Sequence, residues 1–215
     1  MRQQSKPSKN AAGNHVARLY AIIHIGTIPT EWKGETKMTD KIRLTFELCN
    51  EKKEFKEGEG EKPFSISREF TYSFGAKGNL RPFVEGFIGT KLHDDEAYNF
   101  NLEDLLGDAC LLNVVTHRKR RQHLLKHSRS FPTSKRNGRA PEIVNEKISL
   151  DINSTPWEQL SALPEFIWDK MKTSEEHTAR INVDNDAVIG TEAVKMYRPK
   201  AVGGDGEVNP DDVPF

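Results

Sequence analysis

Two stretches of this 215-residue chain alternate between apolar and polar side chains, and they constrain its fold more than any other feature. They are Lys41–Cys49 and Phe64–Phe74, and alternation with a period of two predicts β-strands. In the first stretch one face carries only apolar side chains. These are Ile42, Leu44, Phe46 and Leu48. The other face carries Arg43, Thr45 and Glu47, which predicts that this strand is half-exposed.

The flanking segments predict more β-structure and one helix. His15–Ile28 is rich in β-branched apolar residues, which predicts a long, largely buried first strand that Gly26 could bend. Ala109–Val115 is continuously apolar and predicts a fourth strand. Before it, apolar residues recur at helical spacing, with Pro82 in the first turn and Gly89 at the end. The apolar positions of this predicted helix are Leu80, Phe83, Val84, Phe87 and Ile88.

Two other segments have distinct composition. Glu51–Lys62 is almost entirely Glu, Lys and Gly, which predicts a solvated hairpin loop between the second and third strands. Pro156–Met171 is amphipathic with helical spacing, although Pro164 interrupts it. The apolar residues of this second predicted helix are Trp157, Leu160, Leu163, Phe166, Ile167 and Met171.

These patterns divide the chain into four parts. Residues 1–14 are polar and basic, which predicts a flexible arm. Residues 15–150 hold the strands, and residues 151–180 hold the helical C-terminal extension. Residues 181–215 are polar and Gly/Asp-rich, which predicts a disordered acidic tail.

The order of the predicted elements is strand, strand, strand, helix, strand, with a fifth strand expected next. This order predicts an all-β protein with minor helix, a five-stranded oligonucleotide-binding barrel (OB-fold) with a helix between strands three and four. A β-sandwich is the competing architecture, but it would show more strands at regular spacing and no such helix.

Cysteines and hydropathy indicate where such a chain would reside. Cys49 and Cys110 are far apart, lack a Cys-x-x-Cys partner and lie in apolar runs, which predicts buried free thiols. The longest apolar run, Leu19–Ile23, is far shorter than the ~18 residues of a membrane helix. The N-terminal residues lack the apolar segment of a secretory signal. We therefore expect a soluble, cytoplasmic protein with no membrane contact.

The formal charge is zero, with 32 basic and 32 acidic residues, but the charge is unevenly distributed. The segment Arg118–Arg139 carries nine of the 32 Lys and Arg residues and no acid, which leaves 23 basic and 32 acidic residues elsewhere. Asymmetry of this kind favours binding to nucleic acid or to a protein partner.

The C-terminus carries the most specific motif. Residues 203–215 read Gly-Gly-Asp-Gly-Glu-Val-Asn-Pro-Asp-Asp-Val-Pro-Phe. This motif resembles the acidic tail of bacterial single-stranded DNA-binding proteins, whose tip binds replication and repair enzymes. A terminal Phe suits an apolar pocket with a basic rim, and the carboxylates steer the encounter. The tip residues that the resemblance implies are Asp211, Asp212, Val213, Pro214 and Phe215.

Several short segments follow one another along the body of the chain, from about Gly13 to Ser174. They are Ala17-Arg18-Leu19-Tyr20, Ile25-Gly26-Thr27, Trp32-Lys33-Gly34, Leu44-Thr45-Phe46-Glu47-Leu48, Phe100-Asn101-Leu102 with Leu106-Gly107-Asp108-Ala109-Cys110, and Leu163-Pro164-Glu165-Phe166-Ile167. In this order they resemble a family of bacteriophage replication proteins that bind single-stranded DNA through an OB-fold. The resemblance implies the same fold and the bacterial host cytoplasm.

Proteins that bind single strands combine a basic groove with aromatic rings on which bases stack. The candidates for this role are Trp32, Lys33, Lys37, Arg43, Arg68, Phe70, Tyr72, Phe74, Lys77 and Arg81. A row of aromatics on one strand face is also typical of a core. If Phe70, Tyr72 and Phe74 are buried, Trp32 and the register of Arg68 form the better site.

The basic segment from Arg118 to Gly138 is ambiguous. Its Lys and Arg residues could each neutralise one phosphate, but the segment lacks the alternation expected of the fifth strand. Codons that its residues permit, read one base later, encode a Gly/Asn-rich turn, a strand and a Pro/Gly-containing exit. A local, later-corrected frame shift is therefore an alternative to a true basic patch, and resequencing the gene distinguishes the two.

Motifs for catalysis are weak. His123 and His127 have a spacing that zinc ligands can adopt, but no third ligand is evident. Asp184 and Asp186 begin like a calcium loop that then lacks its Gly and Glu. We therefore predict a non-enzymatic phage single-stranded DNA-binding protein without metal or cofactor that acts in replication, recombination and repair. A homo-oligomer is compatible with this prediction. The alternatives are a recombination mediator or annealing protein, and an interaction module that does not bind DNA.

Overall fold

The computed structural model describes residues 12–55, 57–117, 122–130 and 140–183. The chain divides into two units, Met1–Thr178 and Ala179–Phe215. The strands and helices considered below belong to the first unit. Of the second unit, residues 179–183 are described, and they are helical.

Six strands form one strongly curled sheet, half of a barrel. The strands are β1 (Gly13–Trp32), β2 (Glu35–Glu54), β3 (Glu61–Thr71), β4 (Ala109–His117), β5 (Gln122–Ser130) and β6 (Ile148–Asp151). Their order is β3-β2-β1-β4-β5 with antiparallel pairing, and β6 pairs in parallel with β1. A mostly β structure with minor helix is therefore confirmed. A strand, β5, forms in a segment whose sequence lacks alternation, and the sheet has six strands instead of the predicted five because β6 adds to β1.

Four short α-helices and one 3₁₀ turn accompany the sheet between Leu80 and Met171, and the described residues 175–183 are helical as well. They are α1 (Leu80–Ile88), α2 (Asp94–Tyr98), the turn Leu102–Leu105, α3 (Trp157–Ser161) and α4 (Glu165–Met171). Gly89 ends α1 with φ 77°, and its N–H donates to the Glu85 carbonyl at 2.8 Å, as the sequence predicts for a glycine cap. Pro164 separates α3 from α4, so the predicted second helix is two helices.

The first two strands are longer than predicted. β1 continues past Pro29 to Trp32 because it pairs with β2 along the whole hairpin. Lys33 and Gly34 make the turn with positive φ angles of 53° and 85°, the combination that tight two-residue hairpins require. The register also shifts between His24 and Gly26, where Gly26 has φ 96°, so this glycine does bend the strand.

One face of the sheet, the inner face, packs against α1. Phe46 is fully buried there, and its ring lies 5.9 Å from that of Phe83. The same cluster includes Leu19, Ile22, Ile42, Leu44, Leu48, Phe70, Leu80, Phe87 and Leu112. The alternation of the second strand therefore predicts its inward face correctly.

The opposite face, the outer face, is partly covered by the C-terminal extension. Ile23, Ile25 and Ile28 of β1 form a second apolar cluster with residues that follow β6. These are Ile152, Leu160, Ile167 and Met171. The expectation of a half-exposed second strand is consequently wrong at Thr45 and Glu47, which are buried.

Glu47 shows how the outer face is closed at one end. Its carboxylate accepts hydrogen bonds from the Val144 N–H at 2.9 Å and from the Asn145 N–H at 2.8 Å. Arg18, its register partner on β1, donates to the Gly107 and Pro141 carbonyls, both at 2.6 Å. These bonds hold the segment that leads into β6 over the sheet.

Cys49 and Cys110 are buried free thiols, as predicted. Burial is the main cause that raises the pKa of each thiol, so both stay protonated near neutral pH. Among the described residues, no helix combines the length and the apolar character needed to cross a membrane.

Candidate nucleic-acid interface

Basic side chains follow one another along the outer face of β2. Lys37, Lys41 and Arg43 all have odd numbers in β2, so they share one side of the strand. Arg43 pairs in register with Ile23, which belongs to the second apolar cluster on the outer face (the outer cluster). Side chains two residues apart point to the same side of a strand. The stretch from Glu35 to Arg43 is roughly 27 Å long at the usual rise per residue. The outer face therefore carries an extended basic row, which is exposed at Lys37 and half-buried at Lys41 and Arg43.

Trp32 lies at the tip of this hairpin and is 65% exposed. It pairs with Glu35, which shares the parity of Lys37, so its side chain belongs to the same face. The Lys33 Nζ lies 6.0 Å from the centroid of the Trp32 ring, a cation–π distance. We call Trp32, Lys33, Lys37, Lys41 and Arg43 the hairpin row.

The hairpin row meets the C-terminal extension at Arg43. The Arg43 guanidinium lies over the Phe166 ring at 5.1 Å and bonds Glu69 of β3 at 3.0 Å. The Lys170 Nζ donates to both oxygens of the same Glu69, at 2.7 and 2.8 Å. One carboxylate thus pairs with two cations.

Lys41 lies beside this cluster, and its Nζ donates to Thr71 Oγ1 at 3.3 Å. Burial is the largest cause that lowers the pKa of Lys41, the charge of Lys170 lowers it further, and Glu69 opposes both. Lys37 at the exposed end pairs with Glu35 at 3.5 Å, and both side chains are well exposed. Such an exposed ion pair contributes little, so Lys37 can exchange it for a phosphate.

The predicted aromatic row on the third strand divides between several environments. Phe70 is a core residue, 2% exposed, with its ring 4.7 Å from that of Phe83. β3 ends at Thr71, so Tyr72 and Phe74 lie beyond the sheet. Phe74 packs against Phe100 at 5.6 Å. The sequence allowed this row to be either core or a stacking surface, and Phe70 belongs to the core.

Arg68 shares the register of Phe70 and lies over its ring at 4.6 Å. It consequently belongs to the inner face and not to the hairpin row, and burial lowers its pKa. The two remaining candidates lie elsewhere. Arg81 is tied to Glu85 at 3.1 Å and to Asp94 at 2.6 Å, whereas Lys77 is exposed in the loop before α1.

A polar cluster closes one end of the inner face around His24. Its Nε2 lies 2.7 Å from Asp40 Oδ1, and its Nδ1 lies 3.2 Å from Asp151 Oδ2 without hydrogen-bond geometry. Burial lowers the pKa of His24, but the bond to Asp40 and the charges of Asp40 and Asp151 outweigh it, so the net shift is upward. The Tyr72 and His24 rings form a T-shaped pair with their centroids 5.1 Å apart. Burial, with the charges of Asp151, Asp40 and Glu103, raises the pKa of that phenol.

Some predicted features lie outside the described residues. They include the tip residues Asp211 to Phe215. They also include most of the basic segment from Arg118 to Gly138, in which only the backbone of β5 is described. Within the described ranges, no group of three or more His, Cys, Asp or Glu side chains is arranged to hold a metal ion.

The structure adds three residues to the candidates. Lys41 is two residues before Arg43, so strand alternation predicts that both side chains lie on the same face. Phe166 and Lys170 are four residues apart on α4 and therefore lie on the same side of that helix. Their position beside Arg43 depends on how α4 docks, which no local pattern reveals.

None of the protein-family models, curated proteins or solved structures compared with the chain matches it.

Proposed function

We propose that this protein binds single-stranded DNA through the hairpin row. The observation that carries the proposal is the exposed Trp32 at the tip of a hairpin whose outer face presents Lys37, Lys41 and Arg43 in line. An exposed ring stacks any base, and cations along one strand face attract phosphates. The combination suits an extended strand and gives little preference among bases.

Within this mostly β architecture, we propose that the specific fold is the OB-fold. The path β3-β2-β1-β4-β5, with β1 in the centre and α1 between β3 and β4, has the strand order that a five-stranded Greek-key barrel needs. In this fold the face of strands two and three and the loop between strands one and two bind oligonucleotides. The hairpin row occupies the corresponding loop and the second strand, which supports the proposed function.

The acidic tip extends the proposal. We propose that Asp211 to Phe215 recruit replication and repair enzymes in a phage-infected bacterial cytoplasm, as the resemblance of the tail implies. The protein needs no cofactor or catalytic group for either role. Deleting residues 205–215 is expected to remove the partner interaction while the hairpin row still binds DNA.

The test is fluorescence anisotropy of a labelled poly-dT oligonucleotide, titrated with the full chain across a salt series. Affinity should fall with salt, with a log–log slope of about 0.7 per phosphate neutralised. Unlabelled duplex of equal length should compete poorly, because its bases are not free to stack. Poly-dT and poly-dA should bind alike.

Other outcomes identify the other functions. Absence of binding at low salt, from protein with a normal circular dichroism spectrum, would overturn the proposal and favour an interaction module. Accelerated annealing of complementary oligonucleotides, in addition to binding, would indicate an annealing protein. Equal competition by duplex DNA would indicate general phosphate binding without stacking.

A further inference from the structure

We propose that the C-terminal extension contributes a second base-stacking residue, Phe166, to the DNA interface. The inference rests on the proposed function, but it concerns a different element of the fold. It assigns a binding role to α4, which the strand pattern and the tail motif do not address.

Phe166 is more exposed than the other apolar residues of α4 that face the sheet. Ile167 and Met171 bury their side chains in the outer cluster, as an amphipathic helix requires, but Phe166 remains 46% exposed. Single exposed hydrophobic residues are common on protein surfaces, so the case for a ligand depends on what surrounds this ring. The sequence pattern, which assigned Phe166 to the apolar face, was wrong here.

The surroundings of the ring match those of a stacking platform. The Arg43 guanidinium lies over Phe166 at 5.1 Å. Bases stack on aromatic rings, and arginine adds a cation–π contribution in single-strand sites. A base on Phe166 would therefore lie directly beside the end of the hairpin row.

The charges around this ring favour the backbone of the same strand. Arg43 and Lys170 share the single carboxylate of Glu69, and Lys41 lies close by. Glu165 and Asp169 of α4 lie near the ring as well, and Asp169 pairs with Lys172 at 2.6 Å, so cations and carboxylates alternate around it. Phosphates on either side of a stacked base would lie within reach of Arg43 and Lys170, the two cations that share Glu69.

The ring is also held in place. Ile167 and Met171 anchor α4 to β1, and Lys170 bonds both oxygens of Glu69 on β3. Farther along the chain, Glu176 accepts from the Thr27 N–H and Oγ1, both at 2.7 Å. A platform fixed before binding loses little entropy when a base stacks on it.

The experiment compares the affinities of Phe166→Ala, Phe166→Leu and Phe166→Trp for poly-dT at constant salt. Leu keeps apolar bulk without a ring, whereas Trp keeps the ring. We expect Ala and Leu to weaken binding about 5- to 100-fold and Trp to retain it. Tyr98→Ala is the matched control, since Tyr98 is an exposed aromatic on α2, and it should leave affinity unchanged. Thermal unfolding of each variant verifies the fold.

Photocrosslinking gives a second readout that does not depend on stability. Poly-dT with one 5-iododeoxyuridine should crosslink the wild-type chain within the peptide that contains Phe166. If the wild-type chain binds poly-dT and Phe166→Leu binds it with the same affinity, the inference is overturned and the proposed function stands. Absence of binding by the wild-type chain would overturn the proposed function itself.

Discussion

The two faces of the β1–β2–β3 sheet both carry aromatic side chains, but they hold them in opposite environments. On the inner face Phe46 and Phe70 are buried against Phe83 of α1. On the outer face Trp32 and Phe166 are exposed, each with a cation near its ring. The comparison teaches that residue type does not decide the role of a ring here. Strand parity and the docking of the C-terminal extension decide it.

The largest effect is expected from the inner face. Phe46→Ala should lower the free energy of unfolding by about 3–5 kcal/mol, because a fully buried ring leaves a cavity. Urea denaturation followed by circular dichroism measures the change. At temperatures where the variant is still folded, its affinity for poly-dT should equal that of the wild-type chain. A folded variant with weak DNA binding would contradict the separation of the two faces.

Glu47 sharpens the comparison because it lies on the outer face but is buried. Glu47→Ala removes the acceptor of the Val144 and Asn145 N–H groups and should destabilise the protein by about 1–3 kcal/mol. Denaturation reports the loss. Glu35→Ala, at an exposed position of the same strand face, is the control and should be neutral. Equal stability of Glu47→Ala and the wild-type chain would mean that this end of the outer face is open.

Trp32→Ala makes the opposite prediction. It should leave the free energy of unfolding within about 0.5 kcal/mol of the wild-type value, because the side chain is largely exposed. Its affinity for poly-dT should fall about 5- to 100-fold, the range for loss of one stacked base. Anisotropy measures the affinity, with Trp32→Phe expected to retain most of it. An unchanged affinity of Trp32→Ala would remove the hairpin tip from the interface.

Local patterns predicted the inner face well and the outer face poorly. Alternation assigned the apolar residues of β2 to the core, and glycine and proline signals gave the ends of α1. The predicted aromatic row required a strand to Phe74, but β3 ends at Thr71. Burial of Glu47 and exposure of Phe166 both depend on contacts between segments about 100 residues or more apart, such as Glu47 with Val144 and Arg43 with Phe166. Periodicity within one segment carries no information on such contacts.

The smallest effect is expected at His24, where β1 meets both β2 and β6. Its folded-state pKa is raised, so its contacts with Asp40 and Asp151 stabilise the fold fully below the unfolded value of about 6.5. This contribution is lost as the pH rises through the raised pKa. Urea denaturation at about pH 6 and about pH 8.5 should show the wild-type chain losing more stability than His24→Gln over this interval. An equal loss in both proteins would mean that His24 titrates alike in the folded and unfolded states, and that its two carboxylates do not couple β6 to the hairpin through charge.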